Sequence, residues 1–384
     1  MYKEKLLMTP GPTMLPPSVL EVMRRQVIHH RTNEFGETWD EMLEDLKFVF
    51  NTSNPVLTLA ASGTGGMESA VVNLFNPGET VLNVSIGNFG DRFGQIAEAF
   101  GMDVIKLSYP LGKAVNPLDI KKYLEDDTEH KIKGVLITHN ETSTGVTNDI
   151  KSVAEVVGKY DTLLVVDAIS SIGGLEIKMD EWGIDCIVGA SQKALMAPPG
   201  LAFIGLSDKA WKAVDACRSP RFYWDYRKYL KGLNKLSENP PYTPAITTIM
   251  AQREALKLIR SEGLQNIYDR HKKLALAVQA GISALGLELL PDQKDSSYII
   301  TAVKSPDNID IAKVIKCLNL KYDIMITGGQ RELKGKIFRI GHCGYVFGSD
   351  LLKTFSALES ALRTEGYKFE QGASLIEIQK KIDD

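Results

Sequence analysis

The strongest constraint on this chain is a rhythm of short apolar runs. They fall at residues 56–59, 80–84, 104–107, 134–138, 163–166, 186–188 and 202–205, with helix-like segments between them. Their length, Val and Ile content and flanking glycines are those of strands buried on both faces. Strands that alternate with helices imply βαβ units and a mainly parallel sheet. The expected fold is therefore α/β, with a seven-stranded, mainly parallel sheet in a large domain. A chain of 384 residues exceeds what one hydrophobic core serves. The pattern changes near residue 245, where one long helical stretch over 245–285 leads to strands at 297–303 and 336–340 and helices at 310–317 and 350–363. A smaller α+β domain is expected there, giving divisions at 1–15, 16–260 and 261–384. Helices are also expected over 18–27, capped by Ser18, and over 39–50. Residues 371–384 read as an amphipathic helix or a frayed tail.

Composition narrows the class. A net charge of −3 offers no general attraction to nucleic acid or anionic membrane. No apolar stretch approaches the roughly 18 residues of a membrane helix, and the N-terminal apolar core is too short for a signal peptide. Cys186, Cys217, Cys317 and Cys343 are far apart, which suits reduced thiols in a cytoplasm and no disulfide framework. His29-His30 has no further ligand nearby, so no metal site is expected; the segment reads as an entry loop, with Arg31 as a substrate contact.

Chemistry concentrates where strands end. In a parallel sheet, side chains just beyond the carboxyl ends converge on one crevice. One apolar run ends in Asp167 and another leads to Lys193, which delivers an acid and an amine to that crevice. Pyridoxal phosphate requires that pair: a lysine for the Schiff base and a carboxylate that keeps the pyridine nitrogen protonated. Ser62-Gly63-Thr64-Gly65-Gly66-Met67-Glu68 follows a strand and opens a helix, so it can hold an anion on free amides. It lacks the Gly-Lys-Ser/Thr of a Walker loop and the last glycine of G-x-G-x-x-G, which favours a single phosphate monoester. Phe89 can offer a face to a flat ring, and Thr142 in the polar run 139–145 can donate to a ring hydroxylate.

With these segments in view, the chain resembles the class V, fold type I pyridoxal-phosphate aminotransferases, most of all the alanine–glyoxylate and serine–pyruvate group. The resemblance rests on Thr9-Pro10-Gly11-Pro12, Ser62-Gly63-Thr64-Gly65, residues 139–145, Val166-Asp167-Ala168, residues 189–195 with Ala197-Pro198-Pro199-Gly200, and Arg339-Ile340-Gly341. It implies Lys193 as the Schiff-base lysine and Asp167 as the partner of the pyridine nitrogen. It also implies Thr64, Gly65, Gly66 and Gln192 around the phosphate, Thr142 beside the ring hydroxyl, and Phe89 as the stacking residue. Arg339 resembles the arginine that grips the substrate carboxylate, a role suited to a planar guanidinium with parallel donors, and Gly11 lies in the segment that shapes the substrate site. Thr243 resembles the residue that reaches a neighbour's cofactor phosphate, which implies a homodimer with shared sites and places residues 1–15 at the interface. The chain departs from the pattern three positions before Thr243, where Pro240 replaces a tyrosine. The aromatic run 222–226 reads as dimer packing.

The implied reaction is ping-pong transamination through a Schiff base on Lys193. An amino group moves from a small amino acid, alanine or serine, to an oxo acid, glyoxylate or pyruvate. The alternatives are an aspartate or aminoethylphosphonate transaminase, a cysteine desulfurase or lyase using Cys343, and, outside enzymes, a nucleotide-binding module built on the glycine turn. Desulfurases of this family place a histidine where this chain has Gln192.

Overall fold

The computed structural model describes residues 3–233 and 240–383. All seven apolar runs enter one sheet: β1 (Val56–Ala60), β2 (Thr80–Ser85), β3 (Asp103–Ser108), β4 (Ile132–Thr138), β5 (Leu163–Asp167), β6 (Cys186–Ala190) and β7 (Leu201–Leu206). The spatial order is β1-β7-β6-β5-β4-β2-β3. The pairs β2–β3, β2–β4, β4–β5 and β5–β6 are parallel, whereas β7 runs antiparallel to both β6 and β1. Residues in β5, β6 and β7 are buried throughout, because helices cover both faces of the sheet. The carboxyl ends of β4, β5 and β6 point the same way, and that edge carries the polar residues.

The first four described helices bear on the site or revise the sequence expectations. The first, α1 (Pro17–Met23), starts on a proline with no side-chain cap and ends before Arg24, so Ser18 does not cap it and the helix is shorter than expected. The second, α2 (Asn33–Phe50), begins earlier than expected because the Thr32 hydroxyl caps the Phe35 amide; its first turn holds one apolar residue, Phe35, which is buried and stacks on Trp39 one turn later. The other two are α3 (Gly63–Leu74), capped by Ser62, and α4 (Asn88–Ala99).

The long helical stretch is two helices, α5 (Ile246–Glu262) and α6 (Leu264–Ala284). Gly263 separates them at φ +82, a backbone geometry that costs a side chain free energy but suits glycine. Its N–H closes α5 on the Ile259 carbonyl at 2.9 Å, and its carbonyl accepts from Ile267 to open α6.

A second body packs beside the large sheet. Its strands pair in the order 300–304, 337–341 and 327–328, all antiparallel. A separate apolar core, with Phe338, Phe355, Leu358 and Ile282, lies behind them. The helix α7 (Ala373–Asp383) is docked on α6: Ile378 is fully buried there, and Glu359 accepts from the Ser374 amide and hydroxyl. The C-terminal segment is therefore packed structure over its described residues; Asp384 lies outside them. Near the other terminus, Leu6–Leu7 pairs in parallel with Ile324–Met325.

Candidate active site

A cavity of about 280 Å³ opens at the carboxyl edge of the sheet, small for the ~300–1,000 Å³ of ligand clefts and suited to one ring with a phosphate. Lys193, Asp167, Phe89, Thr142, Thr64, Gln192 and Gly11 all line it. Three charged residues face it: Lys193, Asp167 and Arg92.

Lys193 follows β6 and is 9% exposed. Its Nζ, with no hydrogen bond or ion pair among the described residues, lies 6.0 Å from the centroid of the Phe89 ring. Its backbone is held instead: the Lys193 carbonyl accepts from the Thr13 hydroxyl at 3.0 Å and the Met196 amide at 3.1 Å. Burial pulls its pKa down, with Asp167 acting in the opposite sense. Asp167 ends β5 and is 3% exposed. Its carboxylate accepts from the Ile169 amide at 3.0 Å and the Thr138 hydroxyl at 3.4 Å. Burial, with the charge of Glu141 adding to it, raises its pKa to about 6. Without a cationic ligand, desolvation thus outweighs the mutual attraction of amine and acid, and both groups shift toward neutrality. A neutral amine is a nucleophile and base, and a desolvated carboxylate is ready for a cationic ring nitrogen.

The residues present fit pyridoxal phosphate. Gln192 has a buried Oε1 with no partner. The amides of Gly63 and Thr64, the first two of α3, have no acceptor among the described residues, and they sit at the positive end of that helix. A Cβ on Gly63 would meet Ile169 Cδ1 at 2.6 Å, and one on Gly11 (φ +134) would come within 2.6 Å of Lys193 Cε. Both glycines are therefore needed for space.

Gly65 and Gly66 are placed differently from the expectation. Neither lines the cavity. The Gly65 amide faces Ser62 Oγ at 3.4 Å and the Gly66 amide donates to the Ser62 carbonyl at 3.0 Å. A Cβ at Gly66 would press on Val188 and Ala202 at 2.9 and 3.0 Å, so this glycine seats α3 on the sheet. The free amides are those of Gly63 and Thr64.

Arg339 sits behind the cavity wall, 3% exposed. Nη1 donates to the Thr142 carbonyl at 2.7 Å, and Nε and Nη2 donate to the Gly328 carbonyl at 3.1 and 2.8 Å. Three of its five N–H groups are used, which leaves two. Burial brings its pKa to about 10, so it stays a cation at neutral pH. Thr243 and Arg31 lie elsewhere in the chain's own fold: Thr243 lines a small space with Trp39, Thr58 and Tyr242, and Arg31 lies beside Phe222 and Tyr242. Cys343 is buried near Lys193 in an apolar cluster; burial lifts its thiol to about 11, the opposite of an activated sulfur nucleophile.

Two site residues escaped the sequence reading. Glu141, in the hairpin of 140–141 with 146–147, is fully buried. Its carboxylate accepts from the Phe89, Gly90 and Ser143 amides at 3.0, 3.1 and 3.0 Å and from the Ser143 hydroxyl at 2.5 Å. It therefore holds the first turn of α4, which carries Phe89. Arg92 was the second. A signal for it existed, since three residues along a helix places Arg92 on the face of Phe89.

The architecture and cavity are those of a fold type I pyridoxal-phosphate transferase. The model of the family "Aminotransferase class-V" matches residues 6–341, and the chain belongs to that family. It is 40% identical over 98% of its length to "Soluble hydrogenase, small subunit" of Synechococcus sp., covering 97% of that protein. It is 36% identical to the serine–glyoxylate aminotransferase of Methylorubrum extorquens, over 96% of this chain and 94% of the relative. The crystal structure of ureidoglycine–glyoxylate aminotransferase from Bacillus subtilis superposes with a TM-score of 0.96 at 31% identity, covering 100% of this chain and 99% of that one. No described helix is long and apolar enough to cross a membrane.

Proposed function

We propose that this protein is a pyridoxal-phosphate-dependent aminotransferase that moves an amino group from alanine or serine to glyoxylate or pyruvate. The observation that carries this reading is the buried meeting of Lys193 and Asp167 beyond adjacent parallel strands, in a cavity lined by free helix-terminal amides. Bound pyridoxal phosphate supplies an electron sink next to the substrate α-carbon. Lys193 would hold the cofactor, and its amine would serve as the general base that takes the α-proton and returns it. Asp167 keeps a proton on the ring nitrogen by offering it a buried anion. Gln192 and the amides of Gly63 and Thr64 would hold the phosphate, Phe89 would offer its face to the ring, and Thr142 would meet the ring hydroxyl. The two unused donors of Arg339 match a substrate carboxylate, and Gly11 bounds the substrate space.

The small donor and acceptor are supported by the similarity to a serine–glyoxylate aminotransferase. We read the enzyme as a cytoplasmic homodimer of two-domain subunits, divided at residues 260 and 261. Thr243 would reach a neighbour's cofactor phosphate and Phe222, 72% exposed, would belong to the interface, whereas Gly11, expected near a neighbour's cofactor, lines the cavity of its own chain beside Lys193. A panel of amino donors against glyoxylate and pyruvate tests the substrate class. Lys193→Ala should abolish turnover and the borohydride-stable pyridoxyl label on this residue. An ordinary rate in that variant would refute the proposal.

A further inference from the structure

Arg92 is the one charged residue of the cavity lining that the reaction described above leaves without a task. It belongs to the first turn and a half of α4. Its Nη1 donates to the Thr64 hydroxyl at 3.1 Å, which brings the guanidinium to the second residue of α3. Its Cζ lies 4.8 Å from the centroid of the Phe89 ring, and Lys193 Nζ lies 6.0 Å from that same centroid. No carboxylate lies within 4.0 Å of Arg92 among the described residues, unlike Arg253, Arg260 and Arg270, each of which has an acidic partner. An arginine that lines a cavity, leans on an aromatic face and lacks an anion is poised to receive one.

The surroundings say which anion. The Gly63 and Thr64 amides have no acceptor and lie beside the guanidinium. Asp167, the acid of this cavity, is tied to Ile169 and Thr138 on the strand side. Helix amides suit an anion of any kind, but they carry only partial charge; a phosphate monoester near neutral pH carries nearly two negative charges. A guanidinium supplies the full charge and the parallel donors that such a group requires.

We propose that Arg92 is a cofactor-anchoring residue that neutralises the phosphate monoester seated on the Gly63 and Thr64 amides. This rests on the pyridoxal-phosphate reading of the cavity and adds to it the counter-charge of the phosphate. Because its guanidinium also lies against Phe89, Arg92 ties the phosphate cradle to the ring-stacking residue.

The test compares cofactor-free wild type, Arg92→Gln and Arg92→Lys, each titrated with pyridoxal 5′-phosphate, with pyridoxal and with inorganic phosphate. Absorbance follows the first two, and calorimetry follows the third. Arg92→Gln should weaken pyridoxal 5′-phosphate and inorganic phosphate by roughly tenfold or more, the loss expected of a charge-assisted hydrogen bond, while leaving pyridoxal binding within about twofold. Arg92→Lys should recover part of the loss, because charge returns without the fork. If removing Arg92 merely displaced Phe89, pyridoxal would weaken as much as its phosphate ester; an unchanged ratio of the two affinities would overturn the proposal. Should Arg92→Gln fail to fold, the Lys variant decides through the same ratio. A wild type that took up neither pyridoxal form would instead sink the cofactor reading itself.

Discussion

Replacing Asp167 by asparagine should make the cofactor-free protein more stable and its hold on the cofactor weaker. Asp167 is nearly fully buried, and its pKa stands at about 6 where 3.8 is ordinary. The folded state therefore favours the protonated acid. Below pH 3.8 both folded and unfolded chains carry the proton, and the group costs nothing. Between 3.8 and about 6 the unfolded chain ionises first, and stability drains away as pH rises; above about 6 the full cost is present. At roughly 1.4 kcal/mol for each pH unit of displacement, the cost reaches about 3 kcal/mol. Asparagine is nearly isosteric, keeps an oxygen for the Ile169 amide, and carries no charge to desolvate. Urea denaturation of the cofactor-free protein should show the variant gaining on wild type as pH rises from ~4 to ~7, by up to about 3 kcal/mol and no more beyond that. Saturation with pyridoxal phosphate should reverse the ranking, because a cationic ring nitrogen repays wild type alone. An advantage that did not grow with pH, or that persisted in the loaded protein, would refute the reasoning.

Two more substitutions probe the walls of the site. Glu141→Ala leaves three buried amides without an acceptor; at ~1–3 kcal/mol for each unsatisfied donor, it should cost several kcal/mol in denaturation and loosen cofactor binding through Phe89. Arg339→Lys keeps the charge but cannot bridge the Thr142 and Gly328 carbonyls while presenting two further donors. Steady-state kinetics should show KM for the amino acid rising by roughly tenfold or more, with the absorbance of the bound cofactor unaltered.

What could be read from the chain beforehand divides along physical lines. All seven strands of the large sheet were visible because each carries a short apolar run, although the edge strand Asp103–Ser108, which holds Lys106, is only half-buried. Lys193 and Asp167 were visible because strand ends converge by topology. Glu141 was hidden: the amides that make a buried carboxylate tolerable come from Phe89 and Gly90, some fifty positions earlier in the chain. The interruption at Gly263 was hidden because α5 and α6 keep apolar faces on both sides of it, and a single glycine in a helical pattern is ambiguous until its φ is known. The third strand of the small sheet, 327–328, is two residues long and carries no periodicity at all. Residues 371–384 read as an amphipathic helix or a frayed tail because Ile378, the anchor of α7, becomes meaningful only against Gly281. Gly65 and Gly66 looked like ligand glycines because a glycine that seats a helix on a sheet and one that admits a phosphate leave the same letter in the sequence.

The N-terminal segment has a consequence for biogenesis. Lys5 bonds to Asn319, 314 positions away, Met8 accepts from the Gly341 amide, and Thr13 buttresses the carbonyl of Lys193. An early segment of the chain thus docks on a late one. The partners of Lys5 and Met8 are made long after the strands of the large sheet, and until residues 319–341 exist the segment around Leu6 has no strand to pair with.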